Sequence, residues 1–165
     1  MKVRDVMTKY CVSCGPDTTL AAAVELMRQN ACGFLPVVGE GGNVIGVVTD
    51  RDICIALGTA NQKPSVVRVK DVILPKQYIF PRLFTCTPDD DIHCALKTMR
   101  TERLRRIPVV DREGSLTGIL SMDNIVLRAC EHAGKQDISC KDVVDAYKAI
   151  CAQAYSRPAR QAASN

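Results

Sequence analysis

The chain has 165 residues, enough for one compact domain with an ordinary core. Its residues are 47% hydrophobic but only 4% aromatic, which argues against the stacking platform of a single-strand nucleic-acid binder, and a net charge of +4 falls short of the dense basic stripe that grips duplex DNA. Nine cysteines, an odd number, fall mostly among apolar positions, and the opening Met-Lys-Val-Arg-Asp has no apolar run of signal or membrane-span length; the expectation is a cytoplasmic protein with reduced thiols and no membrane contact.

Val3-Arg4-Asp5-Val6-Met7 opens the chain. Asp17 or Thr18 is then placed to cap a helix whose apolar residues Leu20, Ala23, Val24 and Met27 share one face. A short strand over 34–38, a turn rich in glycine and a second strand over 44–49 predict a β-hairpin, followed by a helix from about Asp50 to Leu57 with Gly58 as its stop.

From residue 69 the sequence says the same thing again. Val69-Lys70-Asp71-Val72-Ile73 matches the opening at a spacing of 66, and from Pro88-Asp89, the counterpart of Pro16-Asp17, the spacing is 72. Asp89 or Asp90 would cap a helix carrying Ile92, Ala95, Leu96 and Met99. A hairpin over 106–110 and 116–121 and a helix from about Met122 to Ala133, stopped by Gly134, complete the second copy. The six extra residues fall within 74–84, an apolar stretch whose Pro75 and Pro81 argue against a helix, and which reads either as a loop packed on its own domain or as a docking surface. Ser139 to Tyr155 carries a helical stripe of Val143, Tyr147, Ile150 and Ala154, suited to cover the parent domain or a second subunit, and 156–165 reads as a frayed polar tail.

A unit of roughly 60 residues cannot bury its apolar face alone, so the two copies are expected to pack on each other about a pseudo-two-fold axis, with function at the seam. The corresponding division is 1–66, 67–133, a C-terminal helix over 134–155, and the tail. The sequence contains no phosphate-binding Gly-x-x-x-x-Gly-Lys loop, no Ser-His-Asp order and no His-Glu-x-x-His, and two histidines leave little for acid–base work, so no enzyme is expected. Cys11-Val12-Ser13-Cys14 has the spacing of half a zinc site, but a second such pair is missing and His93-Cys94 completes it only if the fold brings it close; buried thiols are the favoured reading, without metal.

Leu35-Pro36-Val37-Val38 with Gly46-Val47-Val48-Thr49-Asp50-Arg51-Asp52, and Ile107-Pro108-Val109-Val110 with Gly118-Ile119-Leu120-Ser121-Met122-Asp123-Asn124, occur in the same order in both halves. Over about residues 1–133 the chain thereby resembles a cystathionine-β-synthase-type (CBS) domain pair, or Bateman module. The resemblance implies an α/β (α+β) fold of two tandem βαββα repeats about a pseudo-two-fold axis, to which the C-terminal helix is an addition. It also implies a stand-alone, non-catalytic regulator that needs no cofactor, binds an adenine-containing ligand (AMP, ADP, ATP, NAD or S-adenosylmethionine) in clefts between the halves, and signals to an effector protein in trans. The family's pairing into four-repeat discs implies a homodimer. The rival expectation is a scaffold that binds no nucleotide and acts through the C-terminal helix and the 74–84 segment.

Three chemistries are needed for such a ligand, and the resemblance points to residues for each. Asp52 stands at the family's ribose-binding aspartate, with the Thr49 hydroxyl three residues earlier, although Asp50 or Asp52 serves equally well as a helix cap. In the second copy Ser121 is kept but Asn124 replaces the aspartate, an acceptor without charge. Arg105 and Arg106 stand where phosphates are met, with Arg100 and Arg103 adding field, and Arg51 is the basic candidate beside Asp52. The segments holding Ser13 and Thr85 would line the adenine slots. The clefts are therefore expected to be unequal, the better one beside Arg105, Arg106 and Ser121 if Asn124 suffices.

Overall fold

Helices begin where a side-chain oxygen can take up a free backbone amide. In the computed structural model, which describes residues 1–73, 83–130, 134 and 137–155, the Ala22 amide donates to Thr19 Oγ1 at 3.2 Å to open α1 (Leu20–Gln29), and a second helix, α2 (Asp50–Ala60), follows it. A helix over 69–73, α3, precedes α4 (Ile92–Glu102), where the His93 amide donates to Asp91 at 2.9 Å. Both caps lie beyond the expected ones, because those residues belong to the preceding turn. Thr18 accepts from the Gly15 amide, Asp90 accepts from Thr87, and Asp17 and Asp89 are held by cations.

The two hairpins are copies down to their irregularities. β2 (Phe34–Val38) pairs antiparallel with β3 (Val44–Thr49), and β4 (Arg106–Val110) with β5 (Leu116–Ser121); Phe34 faces Thr49 as Arg106 faces Ser121, and the two ladders slip at the same place, between Val37 and Val38 and between Val109 and Val110. The following helices depart from expectation. Gly58 does not stop α2, which runs on to Ala60 until Asn61 takes a left-handed conformation at φ 48°. α5 (Met122–Val126) is much shorter than expected, since the chain turns so that the Cys130 amide donates to Ile138 O. Residues 131–133 of the expected helix lie outside the described residues, as do 74–82 and the tail from 156.

The two cores do not follow chain order. Val3 and Val6, from the very start, are buried with Ile92, Leu96, Met99, Ile107 and Leu120 of the second copy, while Val67, Val69, Val72 and Ile73 fill the core of the first with Leu20, Ala23, Leu35 and Val48. The exchange continues into the sheet, where β1 (Thr8–Lys9) adds to the edge of β5 with Thr8 opposite Ile119 and Lys9 opposite Gly118. Each exchanged segment is tied to its host turn in the same way: Asp17 pairs with Arg68 at 2.8 Å and Lys70 at 2.7 Å, and Asp89 pairs with Lys2 and Arg4, both at 2.9 Å. The hairpin tips meet as well, the Val44 amide donating to Gly114 O at 3.1 Å.

The last helix, α6 (Cys140–Tyr155), starts at Ser139, whose hydroxyl and amide both donate to Asp142. Its Val143, Ala146 and Ile150 are buried and Tyr147 packs beside them, covering α4 and α5; Ala154 is not among the side chains described. Among the described residues α1 has no such cover. Val24 is 44% exposed, whereas Leu96, its counterpart 72 positions on, is 5% exposed.

These caps and ties predict an acid limit. Lys70 and Arg68 hold the Asp17 carboxyl below its ordinary value of 3.8, Lys2 and Arg4 do the same for Asp89, and the Ser139 hydroxyl and amide do so for Asp142. A carboxyl that is a stronger acid folded than unfolded contributes stability that is complete above its unfolded value and is lost as pH falls through the folded one. The melting temperature should therefore be flat above about pH 5 and fall below about pH 4. In a thermal-melt series Asp142→Asn should start lower and decline less steeply.

Candidate functional site

After β1 the chain leaves β5 and crosses to the first half, where Cys14 lies parallel to Val37: its amide donates to Pro36 O at 3.1 Å and its carbonyl accepts from Val38 N at 2.9 Å. Between these two anchorages the crossing segment, the end of α1 and the mouths of both hairpins border a half-open cavity of about 260 Å³. It has two characters. Val12, Phe34 and Ile119 give it an apolar wall, and Arg106, Ser121 and Asn124 a polar one.

The polar wall lies where β5 turns into α5. Ser121 Oγ accepts from the Asn124 amide at 3.1 Å, and the Ser121 amide and hydroxyl both donate to Asn124 Oδ1, at 3.0 and 2.7 Å. The Asn124 amide group in turn donates to Thr8 Oγ1 at 3.1 Å, so the exchanged strand is part of the same network. Arg106, at the start of β4, reaches Asp123 at 3.3 Å with both side chains partly in water. A guanidinium, a hydroxyl and a carboxamide beside an apolar slot suit an anion joined through a polar linker to a flat apolar group.

Three expected residues, Arg106, Ser121 and Asn124, thus lie in one cavity; Arg105, Ser13, Thr85, Thr49, Arg51 and Asp52 do not line it. Arg105 is exposed and its carbonyl accepts from the Met122 amide. Thr85 lies in a separate, wider groove of about 580 Å³ along α4 with Lys97 and Thr98. Thr49 and Asp52 repeat the cap of the second half: the Thr49 amide and hydroxyl donate to Asp52 at 3.0 and 2.7 Å, while the Asp52 amide donates to Thr49 Oγ1. The cap is one of the two roles the sequence left open for that carboxylate, and Asn124 makes the same cap in the second half.

Thr8, Tyr10 and Cys11, brought by the crossing, and Asn30 and Cys32, from the end of α1, also line the cavity and carry no local signal. Burial pushes the Cys11 thiol up, and pushes Cys14 to about 11 and Cys86 to about 12, so these sulfurs stay protonated and unreactive at neutral pH. Among the described residues no three His, Cys, Asp or Glu side chains are arranged to hold a metal ion, and no helix is long and apolar enough to cross a membrane.

A duplicated hairpin-and-helix unit with a cavity at its seam defines a tandem-repeat module. The CBS domain model matches residues 3–59 and 69–130, and the chain belongs to the CBS domain family. Hypoxic response protein 1 of Mycobacterium tuberculosis is 30% identical over 148 residues, 90% of this chain and 92% of that protein. A crystal structure of Hypoxic Response Protein I with two coordinated zinc ions superposes with a TM-score of 0.68 at 26% identity over 79% of this chain and all of that one. CBSX2, solved in complex with AMP, superposes with a TM-score of 0.62 at 25% identity over 76% of this chain and 93% of that one. Inosine-5'-monophosphate dehydrogenase of Methanocaldococcus jannaschii is 30% identical over 127 residues, 77% of this chain but only 23% of the enzyme.

Proposed function

We propose that the chain is a non-catalytic, cytoplasmic regulatory subunit that binds an adenine-containing ligand (AMP, ADP, ATP, NAD or S-adenosylmethionine) in the seam cavity, pairs as a homodimer, and passes its occupancy to an effector protein in trans. The observation that carries this reading is the meeting of Arg106, Ser121 and Asn124 with Val12 and Phe34 around one cavity of about 260 Å³. Phosphate is met by the arginine, ribose hydroxyls by Ser121 and Asn124, and the base by the apolar wall. The AMP complex of CBSX2 supports the ligand class.

The signal has a direct route. Ligand drawn against Ser121 and Asn124 pulls on the cap of α5, and α5 lies under α6. Phosphate also competes with Asp123 for Arg106. Occupancy therefore biases the surface α6 presents.

Calorimetric titration with AMP, ATP, NAD and S-adenosylmethionine tests the binding step: at least one should release heat at one site per chain. The absence of heat with all of them would leave the scaffold reading, for which the exposed Leu127 and Val144 around α6 are the favouring observation. Asn124→Asp adds a charged ribose acceptor while keeping the cap that Asp52 makes in the other half, and should tighten the ligand about fivefold, or about 1 kcal/mol. An unchanged affinity would remove position 124 from the ribose.

A further inference from the structure

Tyr10 sits at the lip of the seam cavity and is 99% exposed, the most exposed of the large apolar residues described. It also lines the neighbouring recess beside Lys9 and Thr117, so it stands on the rim shared by the two. Its backbone is in the left-handed region at φ 55°, which a bulky side chain adopts only under constraint. Four described non-glycine residues have positive φ, and the other three have an ordinary reason. Ala31, Asn61 and Arg103 each stand just past a helix end, where the left-handed turn satisfies the last carbonyls.

Tyr10 follows no helix. It is the corner between two fixed points, the pairing of Lys9 with Gly118 in one half and of Cys14 with Val37 in the other. The crossing thus sustains backbone strain to hold an aromatic ring out in water above a cavity whose apolar wall, Val12 and Phe34, comes from the same side. Strain kept at a ligand site marks a residue placed for the bound state.

We propose that Tyr10 is a stacking lid: when a nucleotide fills the cavity, the Tyr10 ring closes over the heteroaromatic base and completes the slot begun by Val12 and Phe34. This rests on the nucleotide reading above and deepens it, because it names the base as the part of the ligand that Tyr10 recognises. Ring and phosphate are met separately, the base by Tyr10 and the anion by Arg106.

The test uses the full chain, with AMP and ribose 5-phosphate as probes. Tyr10→Ala should weaken AMP at least about fivefold, as loss of one base-stacking aromatic does, while leaving ribose 5-phosphate unaffected. Tyr10→Phe should bind AMP within about twofold of wild type, since the ring does the work and not the hydroxyl. The chain has no tryptophan, so Tyr10→Trp supplies a single reporter, whose emission should shift to the blue and become shielded from acrylamide when AMP saturates. Tyr10→Gly, suited to the left-handed corner, should melt no lower than wild type yet bind AMP as poorly as the alanine variant, a split that a merely structural residue would not give. Wild type that binds AMP no better than Tyr10→Ala, or an indole reporter still open to quencher at saturation, overturns the lid alone. Wild type that binds no nucleotide overturns the nucleotide reading, and the lid with it, before any variant is made.

Discussion

Arg106→Ala should bind AMP about 13- to 45-fold more weakly than wild type, with its melting temperature almost unmoved. A charge-assisted hydrogen bond to a ligand is worth about 1.5–3 kcal/mol, and the lower half of that range applies because Arg106 keeps 38% of its side chain in water. The folded chain loses only a pair with Asp123, at 3.3 Å and largely solvated, which contributes at most about 1 kcal/mol. Two controls sharpen the result. Arg105→Ala removes a neighbouring charge outside the cavity and should cost less than about threefold, and Arg106→Lys should fall between, retaining charge but losing the two-pronged grip. Calorimetry at two salt concentrations reads all three; an Arg106→Ala protein with wild-type affinity would remove the phosphate from this end of the cavity.

Gly118→Val should have the largest effect on stability. A Cβ at residue 118 would strike the carbonyl oxygen of Thr8, a backbone atom that cannot swing aside as a side chain can. The strand pairing of Lys9 with Gly118 must then open, which loosens Val3 and Val6 from the second core and Thr8 from Asn124. Overpacking of this kind costs roughly 2–3 kcal/mol, a fall of about 5–10 °C in melting temperature for a chain of this size. Gly46, the repeat counterpart, supplies the comparison. There a Cβ would come to 3.1 Å of the tip of the buried Ile73 side chain, a methyl group rather than backbone, so Gly46→Ala should lose less. Equal losses at the two positions would mean that β1 is not what Gly118 makes way for.

The duplication made most of this fold readable. Both hairpins and the faces of α1 and α4 follow from apolar spacing and glycine turns that recur at 72 residues, and the family was legible from Leu35 to Asp52 and again from Ile107 to Asn124. Helix ends were read less well, because a cap depends on which of several adjacent oxygens the neighbouring turn has already taken; Asp17 and Asp89 were engaged by cations far away in the sequence. The polar wall of the cavity could be named in advance since Arg106, Ser121 and Asn124 lie within one hairpin and the helix it feeds. Of the remaining lining only Val12, in the segment expected to hold the base, was legible; Tyr10 and Cys11 arrive through the crossing of the first segment, Asn30 and Cys32 from the end of α1, and a pairing between residues more than a hundred positions apart leaves no periodicity to detect.

That crossing makes the two repeats inseparable. A chain severed at residue 66 would yield one fragment carrying Val3 and Val6, which belong inside the other, and a second carrying Val69 and Ile73, which belong inside the first. Neither piece owns everything it needs to close its own interior, so the two repeats should unfold as a single cooperative object, with a disturbance at one end felt in the half most distant along the chain.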